Sequence, residues 1–140
     1  MDLFATCRTN VVALILRFTL GGVILVHGLQ KTLGWFDGPG FEGAMGFLGG
    51  RFGAPVAFLV ILAESLGAFS LMLGFLTRIC AAGIGVVMAG AMVLVHWQNG
   101  FFASNGGFEF HILAMSIALC LVIRGGGAFS IDELLMEKRR

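Results

Sequence analysis

The residues of this 140-residue chain with the types and spacing for chemistry are Arg17, His27, Gln30, Lys31, Glu64, His96, Asn99, Glu109 and His111. Imidazoles, amides and cations can hydrogen-bond the oxygens of a small ligand, a carboxylic acid can exchange protons, and imidazoles with a carboxylate can ligate a metal. Arg17, His27, Gln30 and Lys31 belong to one apolar run that extends from Arg17 to Phe36. At about 100° per residue, with Arg17 at zero, Gln30 falls near 220°, His27 near 280° and Lys31 near 320°, so all four share an arc of about 140°. Ionisable groups facing hydrocarbon are costly, so this face is expected to look at protein or water.

The elements that must position these residues follow from composition. The chain is 58% hydrophobic and 12% charged, about half the charge of a soluble domain, which predicts a membrane protein of one domain, 1–140. Crossing the hydrocarbon takes about 20 apolar residues, and four windows qualify, at about 11–33, 55–76, 79–97 and 108–123, the last being the shortest. No ten-residue alternating strand pattern is present, so the expected fold is all-α, a polytopic bundle of four transmembrane helices. Phe41, Ala44, Met45 and Leu48 fall at helical spacing between the first two windows, which predicts a short interfacial helix under an aromatic belt. Ser130 and Glu133 form a capping-box pattern ahead of a short, basic, amphipathic tail.

Arg8, Arg78, Arg124, Lys138, Arg139 and Arg140 fall on one side of this arrangement, so the positive-inside rule places both termini in the cytoplasm. His27, Gln30, Lys31, His96, Gln98, Asn99, Glu109 and His111 then gather at the outer end, with Glu64 beneath them near mid-membrane. Glu64 must be protonated, hydrogen-bonded or paired with Lys31 or Arg17 to be tolerated there. A direct Arg17 pair requires the long arginine stem to reach up from about 9 Å above the inner surface. Gly67 and Gly74, and Ala81, Gly85 and Ala89, are small-residue seams for close neighbours or for a homo-oligomer.

Several functions are not expected. A net charge of +1 offers no basic stripe for nucleic acid. The glycine-rich stretch after the first helix follows no strand and has no Gly-Lys-Ser/Thr, so it is not a nucleotide loop. Cys7, Cys80 and Cys120 have no C-x-x-C spacing and read as packing residues. Arg17 lies inside the first apolar run and Gly-Trp-Phe follows it, so that run is not expected to be a cleaved leader.

Three chemistries remain for the outer cluster. It could be a structural polar network that fixes helix register. It could hold a small amphipathic ligand such as a quinone, whose carbonyls need donors beneath an aromatic rim. A haem or metal site at His27, His96 and His111 is less favoured, because the ligands come singly from different helices without i, i+3 or i, i+4 spacing.

The runs His27-Gly28-Leu29-Gln30-Lys31, Gly34-Trp35-Phe36, Ala63-Glu64-Ser65-Leu66-Gly67, Leu73-Gly74-Phe75-Leu76-Thr77-Arg78, His96-Trp97-Gln98-Asn99-Gly100-Phe101-Phe102 and Gly106-Gly107-Phe108-Glu109-Phe110 resemble the DoxX family of small four-helix membrane proteins. The resemblance implies association with quinol oxidases, thiosulfate:quinone oxidoreductases or thiol and oxidative-stress systems. It also marks Arg17, His27, Gln30, Lys31, Glu64, His96, Asn99 and Glu109 as the family's polar positions. Phe108 and Phe110 stand where tyrosine is expected in many relatives, which removes a possible hydroxyl donor.

The expected function is therefore that of a membrane subunit of a redox complex with a quinone-type pocket in the outer half of its bundle. Glu64 would be the proton-exchanging group, and the other subunits would supply electrons, since no flavin, nicotinamide or iron–sulfur motif is present. An accessory or assembly subunit of a respiratory or photosynthetic complex, and a small-solute carrier, are the alternatives.

Overall fold

The computed structural model describes residues 10–137, and these form helices and loops with no strand among them. Cys7, Arg8, Lys138, Arg139 and Arg140 lie outside the described residues. The helices are α1 (Val11–Thr32), α2 (Gly40–Phe52), α3 (Ala54–Leu73), α4 (Thr77–Asn99), α5 (Glu109–Arg124) and α6 (Ile131–Glu137). Three of them, α1, α3 and α4, are long and apolar enough to cross a membrane. With 16 residues, α5 extends about 24 Å against a hydrocarbon core of about 30 Å.

Local chemistry sets the helix ends. The Asn10 side chain caps α1 by accepting from the Ala13 amide at 3.1 Å. Gly74 ends α3 in the left-handed region, with its amide on Leu71 O and the Phe75 amide on Ser70 O, both at 3.0 Å, a Schellman motif that stops the helix short of the expected residue 76. Two long helices carry a π turn, Ala63–Gly67 in α3 and Met92–His96 in α4. Such a turn widens the hydrogen-bond ladder by one residue and redirects the side chains beyond it.

Ile24, Leu71, Ile84 and Leu121, one from each long helix, are fully buried and form the centre of the core. Close backbone approach is supplied by small residues, because lipid gives no hydrophobic drive for helix pairing. The α4 seam at Ala81 and Gly85 is used inside the bundle, where Gly85 faces Ala118 of α5. On α3, Gly67 meets only its own helix, while Gly74 makes room for the Arg17 guanidinium of α1 and for Ser130. The backbone-level approach of α1 to α3 comes from Gly21 and Gly28 of α1, against Ala68 and Met72 and against Glu64 and Ser65.

The glycines after α5 do more than stop it. Residues 125–132 turn into the end of the bundle that carries Asn10. The Ala128 amide donates to Asn10 O at 3.1 Å and the Asp132 amide to Gly74 O at 2.9 Å. The Asp132 carboxylate accepts from the amides of Leu76 and Thr77 at 2.8 and 2.9 Å, capping α4 from a distance in sequence of more than fifty residues. The capping pattern at Ser130 is present, its hydroxyl accepting from the Glu133 amide at 3.1 Å. Both ends of the described chain therefore lie at one end of the bundle, called here the Arg17 end. The loop after α1, α2 and the α4–α5 loop form the opposite Lys31 end.

Candidate functional site

At the Lys31 end, α1 and α3 touch backbone to backbone. A Cβ at Gly28 would overlap the carbonyl group of Glu64 and the Cα of Ser65, so only glycine allows this approach. The contact falls on the π turn, where the Ser65 hydroxyl donates to Ile61 O at 2.6 Å. One turn along α1, the Lys31 ammonium forms an ion pair with Glu64 Oε2. The two side chains are 24% and 7% exposed, which leaves the lysine reachable and the glutamate nearly enclosed. Of the two cations considered for Glu64, the fold selects Lys31.

The histidines form a row beside this pair. The exposed His27 ring lies 6.2 Å from Phe110, Phe110 lies 5.6 Å from His111, and His111 lies 4.3 Å from His96. His96 closes the π turn of α4, and its Nδ1 is 2.6 Å from Gly106 O. A carbonyl can only accept, so His96 Nδ1 carries the proton. His111 is buried, and its Nδ1 has no hydrogen-bond partner among the described residues.

The remaining polar residues hold backbone. Gln30 Nε2 donates to Phe36 O at 3.2 Å and Asn99 Nδ2 to Gly106 O at 3.1 Å, while Glu109 Oε1 accepts from the Ala103 amide at 2.8 Å. Each fastens one of the loops that close this end. Trp97 stacks on Phe108 with ring centroids 5.1 Å apart, and Phe101 meets the same ring edge-on, so the expected aromatic rim is present around the α4–α5 loop.

Arg17 is not brought to this group. It precedes Lys31 by 14 residues, about 21 Å along the helix. There it is fully buried and donates through Nη2 to Ala128 O at 3.0 Å and Phe129 O at 3.4 Å. An arginine enclosed among the carbonyls of residues 128 and 129 does not also reach Glu64, so the structure does not bring it to the Lys31–Glu64 pair. Phe110, Gly28 and Gly106 are site-forming residues that spacing alone did not single out. Phe110 sits one residue from His111, and a Gly-Gly pair beside a histidine-bearing helix end is a signal that a side chain is folding back on the loop.

Apolar helices of spanning length, wrapped around a small polar group, define a multi-pass helical membrane protein. Residues 12–97 match the DoxX family model, and the chain belongs to the DoxX family. It is 28% identical to a Bacillus subtilis (strain 168) protein named "Putative oxidoreductase CatD", over 91% of this chain and 89% of that one. Two uncharacterized proteins of Haemophilus influenzae are 27% and 29% identical, covering 92% and 88% of this chain and 86% and 90% of theirs. No solved structure matches the chain.

Proposed function

We propose that this protein is a membrane subunit of a redox complex and that its Lys31 end binds a quinone-type ligand between α1, α3 and the aromatic rim. The observation that carries this is the Lys31–Glu64 pair, a cation and an acid held together in an apolar bundle at a π turn, with the cation still partly exposed. Isolated charges are costly in hydrocarbon, and a retained pair of this kind is the usual mark of a ligand or proton pathway. The donor set suits the ligand chemically: the Lys31 ammonium and the His27 ring can donate to carbonyl oxygens, and Trp35, Phe36 and Phe110 offer faces for an aromatic head group. When bound, a quinone would take up electrons and protons. The partner subunits would supply the electrons, Glu64 would take a proton from water before giving it up, and Lys31 would hold a ligand oxygen by donating to it. The name of the Bacillus subtilis relative agrees with an oxidoreductase role.

In this reading α5 completes a four-span bundle in the bacterial inner membrane. Arg78 and Arg124 mark the Arg17 end as cytoplasmic, and the ligand enters from the outer half. The proposal is tested by extracting the detergent-purified protein and separating the extract by chromatography. Quinone at near one equivalent per chain supports it, and quinone no higher than in a control membrane protein of similar lipid content removes it. A second reading, a structural accessory subunit, draws on Gln30, Asn99 and Glu109, whose bonds serve the loops. It predicts a stable complex with partner subunits and an extract free of quinone.

A further inference from the structure

The geometry points to a transition-metal site at His96 and His111, separate from the Lys31–Glu64 pair, that binds a borderline divalent cation such as Zn2+. The first observation is the orientation of His96. Its Nδ1–H donates to Gly106 O at 2.6 Å, and the same carbonyl is held by Asn99 at 3.1 Å. A metal-binding imidazole usually donates its second ring N–H to a carbonyl or carboxylate, which fixes the tautomer and turns the other nitrogen to the ion. In His96 that other nitrogen is Nε2.

The second observation is His111. Its residue surface is 7% exposed, yet its Nδ1 has no partner among the described residues. A buried ring nitrogen left without a bond costs free energy that a metal bond would recover. The two rings stand 4.3 Å apart, inclined by 37°. With metal–nitrogen bonds of about 2 Å, two imidazoles on one tetrahedral ion have centroids about 5 Å apart, so the pair must open by roughly 1 Å to take the ion. A two-coordinate cuprous ion, which needs its ligands on opposite sides, fits poorly.

No set of three His, Cys, Asp or Glu side chains gathers to hold an ion among the described residues. The remaining coordination positions would therefore be taken by water or an added ligand, so the site has two protein ligands where a catalytic zinc centre has three. His96 is only partly buried, so the ion can arrive from the surface of the Lys31 end. The metal reading does not depend on quinone binding, because it uses neither Lys31 nor Glu64.

The test is equilibrium dialysis of untagged, chelator-stripped, detergent-purified full-length protein against Zn2+. Variants His96→Asn, His111→Asn and His27→Asn are compared, each checked for a monodisperse elution profile. Wild type should bind one ion per chain. His96→Asn and His111→Asn should each weaken binding at least about tenfold, and His27→Asn should change it less than about twofold. Equal binding in wild type, His96→Asn and His111→Asn would overturn the assignment, as would loss in His27→Asn alone. X-ray absorption of the Zn2+-loaded wild type keeps the test decisive if a variant fails to fold. Two imidazole nitrogens in the first shell support the site, and an oxygen-only shell overturns it.

Discussion

Gly28 and Glu64 meet backbone to backbone, so a nearly enclosed carboxylate is placed by a residue with no side chain. That contact brings the π turn of α3 against α1 and sets Lys31, one turn further on, beside Glu64.

Replacing Gly28 with alanine should therefore do more damage than its size suggests. The new Cβ would overlap backbone atoms of Glu64 and Ser65, which cannot move aside as a flexible side chain could. Overpacking of this kind costs about 1–3 kcal/mol. Gly22→Ala is the matched control, since nothing lies within 4 Å of its Cβ position and helix propensity there gains up to about 1 kcal/mol. Unfolding in mixed detergent should separate the two variants. Equal stability for both would remove the close-contact account.

The ion pair should show coupling. Removing one partner leaves the other charge without compensation, whereas removing both leaves an apolar contact. For Lys31→Met and Glu64→Gln, the double variant should lose less stability than the sum of the single ones. Because Lys31 is about a quarter exposed, the coupling is expected near the lower range, about 1–3 kcal/mol. A coupling energy indistinguishable from zero would mean that the two groups act independently.

Asp132 should matter out of proportion to its place near the chain end. Its carboxylate supplies the cap that Leu76 cannot give to α4, and its amide closes onto Gly74 O. Asp132→Ala should cost about 1–2 kcal/mol and make residues 125–137 accessible to protease. Asp132→Asn keeps one accepting oxygen and should cost less than half as much. Proteolysis equal to wild type in Asp132→Ala would show that residues 125–137 are held without this cap.

Much of the fold could be read from composition and periodicity, because bilayer length and closed backbone bonding leave few alternatives. Glu64 was legible for the same reason: one acid inside an apolar run must be protonated, hydrogen-bonded or paired with a cation. Its choice of Lys31 over Arg17 was not, since helix depth depends on the π turn in α3 and on where α3 stops, and neither leaves a strong pattern in the residues. Arg17 falls at the end of the bundle where its depth in the first run puts it, but its partners could not be read from the residues, because they are backbone carbonyls of residues 128 and 129, which every residue possesses. Asp132 had a weak signal that could have been used. The α4 sequence opens on Leu76-Thr77 with no side chain of its own positioned to cap it, so a capping group from elsewhere was required. His96 turning back on Gly106 was hidden because a π turn re-aims the last side chain of the helix.

The most direct test of the central claim is equilibrium titration of a short-chain quinone into purified protein, followed through quenching of Trp35 and Trp97, in wild type and in Glu64→Gln. Saturable binding in wild type, weakened at least about tenfold in Glu64→Gln with the bundle still folded, is the expected result. Saturable binding of equal strength in both proteins, or none in wild type, would contradict a ligand site built on the Lys31–Glu64 pair.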